Sequence, residues 1–494
     1  MKFADARDTT MRSHMKQIQP HVPVLVLVIF SITTCNDSAQ AEIDPAVHTL
    51  IAEGKYAEAE KQLEQQVHSA DPTTSAAAIQ LEILQRTRQD FPYSDAEIRA
   101  QLQKSIPDIT QQEIDGWRES GDLQARTIDG EHRYFREAVS NLFRASEEAR
   151  RRRAVTPAPP KKFNLNALIE ELVRLSADSD SDEVYPVKHN VRYELIVNEG
   201  HPRLKPGAKV RAWLPFPQEY RQQRDVKLID SEPPHVTISQ NGAPHRTIYF
   251  EETIRDPAKP PRYRVEFEFT TSAYCPKLDA ARVEPYDVDS ALYREFTAAR
   301  PPHIVFTPEV KQLAIEIVGD ETNPLKKARR VFRWVSQNIP WCSEMEYSII
   351  PSISQKGLTA RRGDCGVQGL VFITLCRAAG VPARWQSGWQ TKPNDWNMHD
   401  WSEFYVEPWG WLPADASYGV RDHANPRVRD FLCGHMDPYR LIVNLDYARP
   451  LEPPKTSFRS EPNDFQRGEI EIDGHNLYFD EWDYTFQVKT TILR

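Results

Sequence analysis

Residues 361–385 read RRGDCGVQGLVFITLCRAAGVPARW, and the reading of this stretch decides the fold. Asp364 is a favoured helix N-cap residue. Behind it runs an apolar segment, Leu370, Val371, Phe372, Ile373 and Leu375, as far as Gly380, a natural helix stop. The pattern predicts a buried helix with Cys365 in its first turn. Free main-chain N–H groups and the helix dipole favour negative charge there, so the thiol is expected to ionise readily and act as a nucleophile. Gly366 leaves room for a substrate beside the sulfur, and the same N–H groups suit an oxyanion.

A thiolate needs an acid–base partner, and residues 398–419, MHDWSEFYVEPWGWLPADASYG, offer one. His399, Trp401, Glu403 and Tyr405 alternate with Asp400, Ser402, Phe404 and Val406, which is a strand pattern. Pro408-Trp409-Gly410 reads as a turn, and residues 411–416 return as the neighbouring strand, bringing Asp415 back towards His399. A carboxylate there would fix the imidazole's tautomer and orientation. The order nucleophile, base, orienting acid is the logic of thiol acyl transfer.

The three blocks RRGDCGVQGLVFITLCRAAGVPARW (361–385), HDWSEFYV (399–406) and GWLPADAS (410–417) together resemble the transglutaminase-like superfamily, whose members include transglutaminases, thiol peptidases and amidases. The resemblance spans about 320–420. It implies a papain-like α+β catalytic domain, with the family's nucleophile on Cys365, its histidine on His399 and its acid on Asp415. The residue after the histidine is often small in the family; here it is Asp400, expected to point away from the sulfur. The calcium dependence of some relatives is not carried over, because no matching calcium loop is seen.

Other candidates carry two readings each. Trp341, in NIPWCSEMEY (338–347), lines the site or supports the oxyanion, as the aromatic upstream of the cysteine often does in the family, or is a core aromatic. Gln368, one turn beyond Cys365, faces the cleft or is an ordinary satisfied polar group. Cys376 reads as an inert buried thiol, and Cys342 could pair with Cys433. There is no CxxC or HExxH spacing, so neither a metal nor an organic cofactor is implied.

Outward from this centre the chain divides into six parts. Residues 1–41 read as an export signal. Val22–Ile32 is an apolar run too short to span a bilayer but right for a signal core. Cleavage is expected either after Ala39-Gln40-Ala41 or before Cys35, where Ile32-Thr33-Thr34-Cys35 loosely matches a lipobox and would attach a lipid anchor. Residues 42–154 read as a helical region that would bind a protein partner or serve as scaffold. Residues 155–184 are a proline-rich linker, a short helix and an acidic spacer. Residues 185–273 show period-two alternation and are read as an antiparallel β-sandwich. The catalytic domain is assigned to 274–450. A C-terminal β extension at 451–494 contains a hairpin at Asp473-Gly474.

The 494-residue chain is 40% hydrophobic and 27% charged, as a soluble multidomain protein is, and its net charge of −9 argues against a nucleic-acid partner. The sequence therefore predicts an α+β multidomain protein: a helical N-terminal region, a β-sandwich and a transglutaminase-like domain. The expected activity is extracytoplasmic thiol acyl transfer on a peptide or protein substrate. Hydrolysis is preferred; a protein transglutaminase, or a binding and assembly protein with a vestigial triad, are the alternatives.

Overall fold

The computed structural model describes residues 43–67, 75–154 and 163–493. The signal segment, Cys35 and the linker at 155–162 lie outside the described residues. The α+β class is observed, organised around three apolar cores.

The N-terminal region carries short helices from Pro45–Ala52 to Glu147–Arg152. Two of them, Asp95–Gln103 and Gln111–Glu119, open with capping boxes at Ser94 and Thr110. The region is not all helical, as the sequence reading had it. Residues Ala125–Ile128 (β1) and Glu131–Tyr134 (β2) pair as a hairpin around Asp129 and Gly130, both at positive φ. Asp-Gly is the usual two-residue hairpin turn, and Tyr134, fully buried, ties the hairpin to the helical core.

After the helix Leu165–Asp178 come six strands. They are β3 (Glu183–Val197), β4 (Lys209–Pro215), β5 (Gln223–Glu232), β6 (Thr237–Ile238), β7 (Thr247–Thr253) and β8 (Arg262–Tyr274). Val191, Tyr193, Val265 and Phe267 on one sheet meet Val210, Ala212, Ile248 and Phe250 on the other in one core, a sandwich built on period-two alternation.

The third part holds the cysteine helix, Cys365–Ala378, and a sheet of β9 (Ala383–Lys392), β10 (Asp395–Val406), β11 (Gly410–Ala414) and β12 (Arg440–Asn444) in the order β11-β10-β9-β12. Asn323 caps the neighbouring helix Pro324–Asn338, whose Leu325, Ala328, Phe332 and Val335 are buried at the expected spacing. Gly388 is needed where it stands: a Cβ there would drive into the main-chain carbonyl of Leu441 on β12.

The C-terminal segment is not an appendage. β13 (Glu469–Ile472) pairs with β4, β14 (His475–Leu477) with β13, and β15 (Trp482–Ile492) with β3. The sandwich is thus completed by strands almost three hundred residues beyond its first, and the returning chain lines the cavity at Cys365 on its way.

Candidate active site

The cysteine helix begins as its sequence requires. Asp364 accepts the Val367 N–H at 3.1 Å and also the Tyr347 hydroxyl at 2.6 Å. Twelve of the helix's residues, Gly366–Arg377, are buried, so the helix is the hub of its core. Gly369 and Phe372 meet Ser402 and Phe404 of β10: Ser402 Oγ donates to the Gly369 carbonyl at 3.2 Å, and the two phenyl rings lie 6.1 Å apart.

Those contacts fix which face of β10 looks at the helix. Successive strand residues point to opposite faces, and the register with β9 is unbroken from 395 to 404. Asp400 therefore shares the helix side with Ser402 and Phe404, and His399 takes the other. The expectation that Asp400 points away from the sulfur is overturned: Cys365 Sγ donates to Asp400 Oδ2 at 3.3 Å. Among the described residues no hydrogen bond joins Cys365 to His399. The physical reason is that both faces of this sheet are buried. The His399 face is covered by the loop carrying Tyr418, 5.1 Å from the imidazole, so burial of His399 and Trp401 does not mark the helix side.

His399 and Asp415 do come together. Their Nε2 and Oδ2 are 2.8 Å apart. Asp415 is buried and also meets Arg440 at 2.9 Å, and its second oxygen accepts the main-chain N–H groups of Ser417 and Tyr418 at 3.1 Å. Burial alone would raise Asp415, but His399 and Arg440 hold its carboxyl well below the usual range. Burial lowers His399, and Asp415 opposes that only in part.

Asp400 is held from the far end of the chain. Gln466 Nε2 donates to its Oδ1 at 2.7 Å, and to the carbonyls of Gly388 and His399 at 3.0 Å. Asp464 lies beside it, its Oδ1 accepting Ser387 Oγ at 2.7 Å, Asn444 Nδ2 at 3.0 Å and the Phe465 N–H at 2.8 Å. Burial, then the neighbouring Asp464, pushes Asp400 well above the ordinary carboxylate range; burial also raises Asp464. The thiol responds accordingly. Burial, then Asp400 and Asp364, pushes Cys365 up, against the lowered value expected from the helix N-terminus. Burial, helped by the carboxyl groups beside the sulfur, outweighs a half-charge of dipole.

Cys365 lines a cavity of about 280 Å³ whose walls come from all three parts of the fold. Trp341 is one of them, 38% exposed, with the Arg144 guanidinium 4.3 Å from its ring centre. Arg136 reaches in from the N-terminal region, paired with Glu346 at 2.9 Å. Arg467 and Tyr484 close the C-terminal side. Gln368 is not part of the lining: its amide donates to the Ile339 carbonyl at 2.8 Å inside the core. Gly366 sits so tightly beside Tyr347 and Asp400 that no side chain would fit. Cys342 and Cys433 are both free and buried, so the pairing considered for them is absent, and Cys376 is a buried thiol pushed up by burial. Among the described residues no cluster of histidine, cysteine, aspartate and glutamate is suited to a metal.

The residues that sequence reasoning missed are Tyr347, Asp464 and Gln466, together with the role of Asp400. No local pattern announces Asp464 or Gln466, which reach the site through a chain reversal. Asp400 was visible in the alternation, and only its face was misassigned.

Comparison with known proteins gives the following. Residues 311–416 match the family model described as the transglutaminase-like superfamily. An uncharacterised protein of Haemophilus influenzae is 25% identical over 302 residues, 53% of this chain and 78% of the relative. The uncharacterised YebA of Bacillus subtilis is 25% identical over 134 residues, 23% of this chain and 18% of its own. Among solved structures, a candidate cysteine protease from Cytophaga hutchinsonii is similar at 17% identity and a TM-score of 0.42, covering 63% of this chain and 91% of its own. The periplasmic domain of TgpA from Pseudomonas aeruginosa is similar at 14% identity and a TM-score of 0.23, covering 53% and 95%.

Proposed function

We propose, from a chain whose residues 311–416 form a transglutaminase-like core, that this protein is a thiol acyl-transfer enzyme acting on peptide or side-chain amides. One observation carries the reading: Cys365 opens a buried helix and its thiol lines a polar cavity of about 280 Å³. In this reading the sulfur attacks an amide carbonyl carbon, the C–N bond breaks and the amine leaves. Water or a second amine then resolves the thioester. His399, held by Asp415, is the imidazole that the superfamily pattern assigns to proton transfer. Water is the proposed acceptor, following the exported bacterial members that the sequence resembles. Amine as acceptor would make the protein a transglutaminase.

Export is proposed from the segment 22–41 alone, with Cys35 as the lipidated residue or Ala41 as the last residue removed. The mature N-terminus, read by mass spectrometry from the native host membrane and soluble fractions, decides between them. Among the described residues no helix is long and apolar enough to cross a membrane.

A second reading, a binding protein that keeps the fold without the chemistry, is favoured by the carboxyl groups around the thiol. The test is incubation with a peptide mixture, with and without a primary-amine probe, against Cys365→Ala. Cleavage or amine incorporation that depends on Cys365 supports the enzyme. No product and no acyl-enzyme by intact mass would replace it with the binding protein.

A further inference from the structure

The group in contact with the nucleophilic sulfur is a carboxyl that the superfamily pattern does not include. Asp400 Oδ2 is 3.3 Å from Cys365 Sγ, while His399 stands on the other face of the same strand. Asp400 is no loose surface acid. It is buried, its Oδ1 is bound by Gln466, and the neighbour that raises it most is Asp464, itself fastened by Ser387, Asn444 and the Phe465 amide. Two buried carboxyl groups this close cannot both ionise, so one proton is shared between them. Every element around Asp400 contributes a titratable or polar group. Cys365 and Asp364 come from the helix, Tyr347 from the loop before it, Ser387 from β9, and Asp464 and Gln466 from the C-terminal segment. None of these is a cation that would keep Asp400 ionised.

We propose that Asp400, backed by Asp464, is a further catalytic residue: it exchanges the proton of Cys365 during acyl transfer. The proposal rests on the reading of Cys365 as the nucleophile. In acylation the S–H bond breaks as the proton moves to Asp400, and the proton already in the pair rests on Asp464. The S–C bond forms, the C–N bond breaks, and Asp400 gives its proton to the leaving nitrogen. In hydrolysis a water oxygen bonds the carbonyl carbon and the C–S bond breaks. One water proton goes to sulfur by way of Asp400, and the other stays with the hydroxyl now on the acid product. The pair ends each half-reaction with the single proton it began with. Such a pair suits a half-buried thiol, because its shared proton keeps the charge on the pair at one while the thiol is neutral, and lets that charge move to sulfur only as attack begins.

Asp400→Asn keeps the shape and an acceptor oxygen but cannot exchange a proton. The full chain and its Asp400→Asn, Asp464→Asn and His399→Ala forms are compared in two assays. One is the rate of iodoacetamide labelling of Cys365 across pH 5–10. The other is turnover of p-nitrophenyl acetate, with intact mass reporting the acetyl-enzyme. In Asp400→Asn, labelling at pH 7 should rise about tenfold, because a carboxyl that disfavours the thiolate is gone. Resolution of the acetyl-enzyme should fall about 100-fold or more, so that it accumulates. Faster labelling with slower turnover is a combination that a merely structural residue does not produce. Asp464→Asn leaves Asp400 to carry the full charge beside the thiol, so its labelling should slow where that of Asp400→Asn quickens, and it decides the matter if Asp400→Asn does not fold. Labelling profiles of both Asn forms that match the parent within twofold, with His399→Ala alone changing them, would overturn the proposal and leave the proton with His399. A Cys365 that labels as predicted but never acylates would sink the proposed enzyme while leaving the Asp400 contact standing.

Discussion

Glu469 should be one of the costliest acidic side chains to neutralise in this fold. It sits on β13, fully buried, with Lys455 Nζ at 2.6 Å and Arg459 Nε at 2.8 Å. It also accepts the main-chain N–H groups of Ser460 at 3.0 Å and Glu461 at 3.3 Å. These bonds clamp the strap 455–461 whose end, with Ser460 and Glu461, forms one wall of the cavity over Cys365. Burial alone would raise Glu469, but Lys455 and Arg459 overcome it and hold the carboxyl down to about 2, against an ordinary 4.5. Lys455, by contrast, is pulled down by burial more than Glu469 raises it, so the lysine itself gains little and the carboxylate is the group to perturb. At ~1.4 kcal/mol per pH unit, the displacement of Glu469 corresponds to about 3 kcal/mol of folding stability. The folded value is depressed, so this stability is fully present above pH 4.5 and is lost as pH falls towards 2. Glu469→Gln imitates the protonated acid. Urea unfolding followed by tryptophan fluorescence should show the variant about 3 kcal/mol less stable at pH 7, with the gap narrowing to roughly 1 kcal/mol at pH 3. All other carboxyl groups titrate alike in both proteins and cancel in the difference. A gap under about 1 kcal/mol at pH 7, or one that stays constant from pH 5 to pH 3, would refute the reasoning.

Two further outcomes are expected. Gly366→Ala would place a methyl group within 2.8 Å of Asp400 Oδ2 and closer still to the Tyr347 hydroxyl, which is itself tied to Asp364. Overpacking of this kind should cost about 1–3 kcal/mol in urea unfolding and change the labelling rate of Cys365; a variant indistinguishable from the parent in both would show that Tyr347 is free to move. Arg440→Gln removes the buried cation between Asp415 and Asp437, which it meets at 2.9 and 2.8 Å. It should destabilise the fold by about 3–5 kcal/mol and move the His399 imidazole titration upward, read by NMR, because Arg440 is one of the charges that lower it; an unchanged titration contradicts the geometry.

Much of this was legible in the sequence because it rests on short-range rules. The N-cap at Asp364, the apolar helix behind Cys365, the stop at Gly380 and the return of Asp415 to His399 across a turn are all local, and all appear in the structure. The hairpin at 125–134 was missed although it carries the same Asp-Gly signal that was read correctly at 473–474. Its strands are four residues each, too short for alternation to mark them, and Glu131–Tyr134 carries no β-branched residue. What no local rule could supply is the long-range closure. β13 to β15 belong to sheets whose first strand lies almost three hundred residues earlier, and Asp464 and Gln466 reach the thiol only because the chain returns to complete that sandwich.

The misassigned face of β10 shows where pattern reading stops. Period two sorts His399, Trp401 and Glu403 from Asp400, Ser402 and Phe404, and it does so correctly. It cannot say which set meets the cysteine helix when both faces are buried. Trp401 and Phe404 are equally inaccessible, and Glu403, though charged, is buried too, held by Arg384 at 2.7 Å and by the Tyr220 hydroxyl at 2.9 Å. The choice is made by the small groups. Gly369 on the helix opposes Ser402, and Gly366 opposes Asp400, so the helix approaches the strand closely only on the side where nothing large intervenes. The glycine spacing 366 and 369 on the helix, set against 400 and 402 on the strand, is thus the sequence feature that brings a carboxyl to the sulfur. A side chain at Gly366 would have to push Asp400 and Tyr347 away from the helix.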